Sequence, residues 1–336
     1  MLDIAKIRDL SAGADHHLSK LENDFVPLLR EFTESMRAIK RSQEEMVIWE
    51  VRQLREELGE LRRQLKRYGL PEVNQYESRL EKIRETLNND AWPMAVEETA
   101  ICETEDSMKV RADAIINCVV GEHLKDLKFL DYGCGFGHTT VAAQAAETKI
   151  TLGYDVDLAK CKLQGPIFTA DFEEVKKNAP YDVVLIHDVL DHITLIDPIA
   201  ALRQVRSVLP NKGRVYIRLH PWSARHGGHL YKQINKAFLH LVLDDVELTR
   251  IGGWTCEHNI KVIRPIPTYR HWFEQSGFEI KSEIPVKRKV EEVFLKPSHI
   301  HGRLVDLWGN AEELEQHMEI EFMEYILDAP SNQQIL

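Results

Sequence analysis

The sequence predicts an α/β fold, a doubly wound and mostly parallel sheet preceded by a long helical coiled coil. Two observations support the sheet. Beyond residue 107, short apolar runs alternate with helical stretches, an order typical of βαβ units. One of these runs ends at a loop with three alternating glycines, which indicates a tight strand-to-helix turn. Upstream of these elements, apolar residues recur at steps of three and four, which predicts helix.

Residues 1–90 are predicted to form the helical coiled-coil region. Its clearest heptad seam consists of Leu54, Leu58, Leu61, Leu65 and Tyr68. A helix of about 50 residues would be about 75 Å long, too long to bury this seam against a small domain. We therefore expect a homo-oligomer formed through a parallel bundle, or attachment to a larger assembly. An antiparallel hairpin with the next helix, at about 73–87, is the alternative.

The composition disfavours several classes of protein. A formal net charge of −11 disfavours binding to nucleic acid. The five cysteines are scattered and form no CxxC pair, which argues against a disulfide framework or a cysteine zinc site and fits a reducing cytosol. The N-terminal sequence lacks the plan of a signal peptide, and no apolar run reaches the ~18 residues of a membrane span. We therefore expect a cytoplasmic protein without membrane contact.

The remainder of the chain is expected to contain one larger domain with flanking segments. A connector covers 91–106, the domain covers 107–300, and a helical tail covers 301–336. Within the domain, residues 220–268 are predicted to be an insertion that covers the substrate. The predicted strands are Lys128–Tyr132, Ile150–Tyr154, Ile167–Thr169, Val183–His187 and Arg214–Leu219.

The motif FLDYGCGFGHTT, residues 129–140, carries the clearest functional signal. Gly133, Gly135 and Gly137 follow a predicted strand and precede a predicted helix, the context that makes a glycine motif meaningful. Glycines at such a turn allow a ligand to lie directly against the backbone. The alternative is a tight turn with no ligand.

Acidic residues after the next two strands are consistent with a nucleoside site. Asp155 ends the second strand, 18 residues after Gly137, where its carboxylate can accept from both ribose hydroxyls; a solvated turn residue is the alternative. Asp171 follows the third strand beside Phe172, a pair that suits an exocyclic amine and a purine ring, although a helix N-cap at Asp171 competes. His187 ends the fourth strand at the same edge of the sheet.

These motifs, in this order, resemble a class I S-adenosylmethionine-dependent methyltransferase. FLDYGCGFG resembles the first motif of that family, GYDVD the second, TADFEEV the third and YDVVLIHDVLDHI the fourth. The resemblance covers 107–219 well and 265–296 loosely. It implies a seven-stranded Rossmann-like sheet, S-adenosylmethionine as the cofactor and methyl transfer as the activity. It also implies that His187 is part of the cofactor wall.

Asp131, two residues before the first glycine, distinguishes this cofactor from a dinucleotide. The dinucleotide fingerprint is GxGxxG, and its glycines lie against a pyrophosphate. S-adenosylmethionine has no phosphate but carries an ammonium group, whose charge Asp131 can balance directly or through water. An NAD-linked enzyme is therefore the weaker alternative.

The fifth strand ends in RLHPWSARHGGHLYKQINKAF, a stretch that supplies candidate residues on the acceptor side. The pKa of an imidazole is near neutrality and suits proton abstraction, so His220, His226 and His229 are the candidate catalytic residues. These histidines are also compatible with a metal ion, but no carboxylate is adjacent in the sequence and we predict no metal. An ordinary polar loop is the third alternative. Gly227–Gly228 indicates either a flexible lid or close packing.

The methyl acceptor is left open by the sequence. A small molecule, a sugar and a protein side chain all fit, and nucleic acid ranks lower because of the acidic balance. The alternative to an enzyme is a structural or assembly protein that keeps the fold and is catalytically silent, since a fold does not determine a function.

Overall fold

The computed structural model describes most of the chain after residue 104 and only scattered residues before it. The described ranges are 104–121, 123–161, 167–193, 196–253, 263–296, 298–308 and 311–330, with residue 163 and single residues or short stretches between 49 and 97. The predicted coiled coil lies almost entirely outside the described residues. The stalk and the self-association therefore remain predictions.

The chain divides into two compact units. The first comprises Met1–Asp90 with Leu243–Trp254, and the second comprises Ala91–Val242 with Thr255–Leu336. In the first unit, the helix Asp245–Gly252 begins with a capping box, in which Asp244 accepts from the amide of Glu247 and the Glu247 side chain accepts from the amide of Asp244.

The second unit is built on a sheet that has seven strands within the described residues. The strands are β1 (Lys128–Tyr132), β2 (Ile150–Tyr154), β3 (Phe168–Thr169), β4 (Val183–His187), β5 (Arg214–Leu219), β6 (Glu279–Lys287) and β7 (Ile320–Asp328). Their order across the sheet is β3–β2–β1–β4–β5–β7–β6. The first five are mutually parallel, and β7 runs antiparallel to both of its neighbours. The predicted seven-stranded, mostly parallel sheet is confirmed.

Helices precede and connect these strands. They are α1 (Glu105–Ala114), α2 (His138–Ala145), α3 (Phe172–Asn178), α4 (Pro198–Ser207), α5 (Leu239–Val242), α6 (Ile266–Gln275), α7 (Glu292–Leu295), α8 (His299–Trp308) and α9 (Ala311–Met318). Helix α4 shows why they begin where they do: Asp197 accepts from the amide of Ala200 and Pro198 occupies the first turn. Among the described helices, none has the length and apolar character needed to cross a membrane.

The pleat of the strands sends alternate side chains into two hydrophobic cores, one on each face of the sheet. In β4, Val183 and Leu185 pack in one core, whereas Val184 and Ile186 pack in the other. All four side chains are at most 1% exposed. Because both faces are covered, such strands are continuous apolar runs in the sequence. That is why their bounds were predictable.

The C-terminal tail differs from the helical segment expected for residues 301–336. It includes helices, but after α9 the strand β7 enters the sheet between β5 and β6. Its side chains alternate in burial, with Met323, Tyr325 and Leu327 in the core. An alternation of period two is typical of a strand, and β7 supplies backbone partners to both neighbours. The tail therefore completes the sheet of the second unit.

The position of β7 can be tested by two substitutions of similar size. Leu327 is fully buried on β7, whereas Ile284 on neighbouring β6 is 48% exposed. We expect Leu327→Ala to lower the free energy of unfolding by about 2–5 kcal/mol, because it leaves a cavity in the core. Ile284→Ala should cost less than about 1 kcal/mol, because its side chain is largely in solvent. Urea denaturation measures both, and equal losses would contradict the placement of β7 inside the sheet.

Candidate active site

The candidate site lies where the strand order reverses, between β1 and β4. In open α/β sheets, ligands bind outside the carboxyl ends of the strands at this point. The glycine loop, residues 133–137, follows β1, and residues 188–192 follow β4. These two loops are in contact, since a Cβ placed on Gly133 would lie 2.4 Å from Cγ2 of Val189.

The three glycines of the loop serve different purposes. All have positive φ angles, +85° at Gly133, +50° at Gly135 and +88° at Gly137. At Gly133 a larger residue is excluded because its Cβ would collide with the side chain of Val189. At Gly137 it is excluded because its Cβ would lie 2.8 Å from Cζ of Phe168. A Cβ on Gly135 would meet no described atom within 4 Å. The space at Gly135 therefore fits a ligand that lies against the main chain.

The glycine loop is held against the end of β2 by hydrogen bonds. The amides of Gly133 and Cys134 both donate to the carbonyl of Tyr154, at 2.7 and 3.0 Å. The amide of Gly135 donates to Oδ2 of Asp155 at 2.9 Å. Asp155 therefore faces the loop, as the ribose assignment requires. A carboxylate has about four lone-pair sites, so this bond leaves capacity for further donors.

Asp131 lies behind the loop. Its side chain is buried, and its Oδ2 accepts from the hydroxyl of Thr140 on α2 at 2.7 Å. Burial raises the pKa of Asp131 to about 7, although the Thr140 hydrogen bond lowers it; the charge of Asp155 raises it further. A carboxyl group that ionises near neutrality responds strongly to a nearby cation. This property fits the ammonium partner expected from the sequence.

Asp171 and Phe172 have structural partners at the start of α3. Oδ1 of Asp171 accepts from the amide of Glu173 at 2.9 Å, so the helix N-cap considered as the alternative is present. The Asp171 side chain is exposed, and capping through one oxygen does not exclude a second contact. The half-buried ring of Phe172 packs edge-on against Tyr154, with centroids 5.4 Å apart.

His187 and Asp188 follow each other at the carboxyl end of β4. Nδ1 of His187 lies 3.4 Å from Oδ2 of Asp188, and burial lowers the pKa of His187. Nε2 of His187 is buried and makes no hydrogen bond to the described atoms. Asp188 has a φ of +52°, which is uncommon for a residue with a Cβ and is often found at functional sites.

The loop after β5 is a buried segment, with every residue from 219 to 230 inside the unit. At Gly227 and Gly228 close packing leaves no room for a Cβ atom. A Cβ on Gly227 would lie 2.5 Å from the carbonyl oxygen of Trp222, and one on Gly228 would lie 2.4 Å from Cβ of His240. Of the two explanations offered for this pair of glycines, close packing is the one that the structure supports.

The structure brings the three candidate histidines together. Nε2 of His226 lies 3.3 Å from Nε2 of His220, and the ring centroids of His220 and His229 are 5.6 Å apart. Burial lowers the pKa of His220 to about 3 and also lowers that of His226. Both rings are therefore neutral at pH 7. A histidine with so low a pKa is a weak proton acceptor, but its lone pair remains available.

Two carboxylates that the sequence analysis did not connect to these histidines also face them. Oδ1 of Asp188 lies 3.6 Å from Nε2 of His220, and Oδ2 of Asp191 lies 4.0 Å from Nε2 of His229. Asp191 received no predicted role. Both acids follow the apolar run of β4, which is the signal that the sequence contained. Their pairing with a later loop could not be seen without the tertiary fold.

Comparison with protein families identifies the chain. The profile of a methyltransferase domain family matches residues 104–283, more than half of the 336 residues. The chain therefore belongs to the methyltransferase domain family. This membership supports the expected cofactor, S-adenosylmethionine. Comparison with curated proteins finds no match.

Comparison with solved structures matches several methyltransferases. An S-adenosylmethionine-dependent methyltransferase from Mesorhizobium loti is 18% identical, with 64% of this chain and 97% of that chain covered and a TM-score of 0.38. One from Archaeoglobus fulgidus is 16% identical, with 66% and 94% covered and a TM-score of 0.42. Magnesium protoporphyrin IX methyltransferase from Synechocystis PCC 6803 is 14% identical, with 75% and 94% covered and a TM-score of 0.41. At TM-scores below 0.5, these similarities add nothing to the family assignment.

The raised pKa of Asp131 predicts that Asp131→Asn changes the dependence of stability on pH. The pKa is about 7 in the folded protein against an ordinary 3.8. The folded state therefore holds a proton that the unfolded chain releases, and stability falls as the pH rises between these values. Asparagine resembles the protonated carboxyl and avoids this loss. We expect the wild type and Asp131→Asn to have similar free energies of unfolding near pH 4. At pH 8 the variant should be more stable by on the order of 4 kcal/mol.

Urea denaturation of the metal-free, ligand-free protein across this pH range measures the difference between Asp131→Asn and the wild type. A difference that stays constant with pH would show that Asp131 titrates in its ordinary range.

Proposed function

We propose that this protein is an S-adenosylmethionine-dependent methyltransferase whose acceptor is a small molecule, a sugar or a protein side chain. The observation that carries the proposal is the open space at Gly135, bordered by the carboxylate of Asp155. Uncovered backbone and an acceptor for ribose hydroxyls thus occur together at the edge of the sheet. Membership of the methyltransferase domain family supports the reaction class.

Five side chains are assigned to the cofactor. Asp155 accepts from the ribose hydroxyls through the lone pairs that its backbone hydrogen bonds leave. Asp171 accepts from the exocyclic amine of the adenine, and Phe172 forms part of the wall beside the ring. Asp131 supplies negative charge behind the glycine loop for the ammonium group. His187 closes the site on the β4 side.

When bound, S-adenosylmethionine supplies an electrophilic methyl group on a positively charged sulfur. The protein itself contributes by aligning the acceptor with this methyl group and by excluding water. The buried segment 219–230 lies at the end of β5 and limits access of solvent from that side. Residues 188–192 connect this segment to the glycine loop, because Asp188 faces His220 while Val189 contacts Gly133.

On the acceptor side, we assign His220, His226 and His229 to the positioning of the acceptor. Where the acceptor carries a proton that must leave, an imidazole of this group receives it. Burial lowers the pKa of both His220 and His226, whose Nε2 atoms lie 3.3 Å apart, so both imidazoles are weak bases. The group therefore binds and orients more readily than it removes a proton at neutral pH.

Isothermal titration of the full-length protein with S-adenosylmethionine tests the proposal. We expect saturable binding of one molecule per chain. Titration with NAD is the control for a dinucleotide site, and we expect no saturable binding. Absence of S-adenosylmethionine binding at millimolar concentration would refute the enzymatic proposal and favour a catalytically silent structural or assembly protein.

The role of Asp155 predicts a loss of affinity in Asp155→Asn. This change keeps the shape of the side chain but removes its charge and one acceptor atom. We expect the dissociation constant for S-adenosylmethionine to rise about 10- to 100-fold, because a hydrogen bond to a charged group contributes about 1.5–3 kcal/mol. The measurement is isothermal titration.

Asp157→Asn is the matched control for Asp155→Asn. Asp157 is exposed and accepts from the amide of Ala159 within its own short turn. Its substitution should change the dissociation constant by less than about threefold, as expected for an exposed charge. If both variants lost affinity equally, the ribose would have to be assigned elsewhere.

The different surroundings of the glycines predict that Gly135→Ala mainly lowers cofactor affinity, whereas Gly137→Ala mainly lowers the stability of the fold. A Cβ at Gly135 enters open space, so its cost is the strain of a positive φ, about 1 kcal/mol. The same Cβ occupies the space assigned to the cofactor, so affinity should fall at least about tenfold while the protein remains folded. A Cβ at Gly137 meets Phe168 and Cys161, and should lower the free energy of unfolding by more than about 2 kcal/mol.

Urea denaturation and isothermal titration separate these two effects. Undiminished S-adenosylmethionine binding by Gly135→Ala would show that the open space at Gly135 is not the cofactor site.

A further inference from the structure

The loops that follow β4 and β5 contain side chains with the composition of a metal site. One atom from each of Asp191, His220 and His229 lies within 4.8 Å of the other two. The three residues come from the loop after β4, the end of β5 and the buried segment 219–230. All three side chains are buried. The fold therefore holds one carboxylate and two imidazoles together in its interior.

The carboxylate of Asp191 is the clearest sign of an ion. It is fully buried, and neither oxygen makes a hydrogen bond within the part of the chain that the structure describes. The nearest imidazole nitrogens, on His192 and His229, each lie 4.0 Å from Oδ2, beyond hydrogen-bonding distance. Burial raises the pKa of this carboxyl and the charge of Asp188 raises it further, although the nearby amides of Asp191 and His220 lower it. A buried carboxylate in this position requires a proton or a cation.

His220 contributes a second buried atom that is not satisfied. Its Nδ1 makes no hydrogen bond to the described residues, while its Nε2 lies 3.6 Å from Oδ1 of Asp188 and 3.3 Å from His226. Histidines that bind metals commonly use one ring nitrogen for the ion and orient the other toward a carboxylate.

We propose that Asp191, His220 and His229 bind one divalent transition-metal ion. Two imidazoles and one carboxylate suit zinc or iron(II), whereas magnesium and calcium prefer oxygen ligands. Ligand atoms on a zinc ion lie roughly 3.4 Å apart at bond lengths of about 2.1 Å, so the group contracts by about 1 Å around the ion. Three protein ligands leave a coordination position for water or an oxygen of a substrate.

This proposal differs from the sequence-based expectation of no metal. That expectation depended on the lack of a carboxylate next to the histidines in the sequence, and Asp191 reaches them from the loop after β4. The evidence for the metal site is independent of the proposed methyl transfer, although two of its ligands, His220 and His229, are also assigned to the acceptor. None of the three ligands is assigned to the cofactor, so binding of S-adenosylmethionine is tested separately.

Titration with Co²⁺ tests the site directly. The full-length protein is treated with a chelator, desalted and titrated with Co²⁺, whose visible absorption reports coordination by nitrogen and oxygen ligands. We expect one Co²⁺ per chain, displacement by Zn²⁺ and a rise in melting temperature with either ion, since a ligand of the folded state stabilises it. Elemental analysis of protein purified without chelator should find a transition metal near one equivalent per chain.

Two substitutions of the ligands should remove this binding. We expect Asp191→Asn and His229→Gln each to weaken Co²⁺ binding by at least about 100-fold. Asp191→Asn removes a buried ionisable group, so without metal it should melt no lower than the wild type. Its loss of binding therefore cannot be attributed to unfolding.

His240→Gln is the matched control. His240 is a buried histidine of the same unit whose Nε2 lies 2.8 Å from the carbonyl oxygen of Trp222, and it is not among the three ligands. Co²⁺ affinity should stay within about threefold of the wild type. A melting curve confirms that each variant is folded before binding is compared.

Failure to bind Co²⁺ or Zn²⁺ at millimolar concentration would overturn the proposal, and the buried cluster would then contain a protonated Asp191 in place of an ion. Binding that both ligand variants retain would overturn it equally, because the ion would have to lie at other side chains. Titration of the metal-free protein with S-adenosylmethionine distinguishes either result from failure of the proposed function.

Discussion

The hydrogen bonds between the glycine loop and the end of β2 are the interaction on which the candidate site depends. Parallel pairing of β1 with β2 sets Tyr132 opposite Tyr154, so that the chain leaves both strands at the same level. The carbonyl of Tyr154 then accepts hydrogen bonds from two amides of the loop, and the carboxylate of Asp155 accepts one from the amide of Gly135. A slip in this register would separate the carboxylate from the bare backbone. The proposed nucleoside site needs both features together.

A second constraint is the buried polar cluster beside this loop. The sheet is enclosed by two apolar cores, and ionisable groups are costly in such surroundings unless they are paired or bind an ion. Nevertheless, Asp191, His220 and His229 are buried next to each other. Residues 188–192 link the cluster to the glycine loop through Val189, which contacts Gly133.

Much of the second unit was predictable from sequence. The bounds of β1, β2, β4 and β5 agree with the apolar runs, because strands covered on both faces are mostly apolar along their length. The glycine loop and Asp155 were predictable because a strand, a turn and a helix are adjacent in the chain. By contrast, β7 was expected in a helical tail. Its pairing partners, β5 and β6, lie earlier in the chain, and local patterns do not identify distant partners.

The sequence by itself determined the elements whose specification is local: the strands, the glycine turn and the acid at the tip of β2. Only the tertiary structure decided which glycine faces open space, because Val189 and Phe168 occupy the space beside Gly133 and Gly137. It also decided that Asp191 meets His220 and His229, because these residues approach only when the loop after β5 folds against the loop after β4. Periodicity reports which face of an element is buried, but the partners buried with it are set by packing between segments that are distant in the chain.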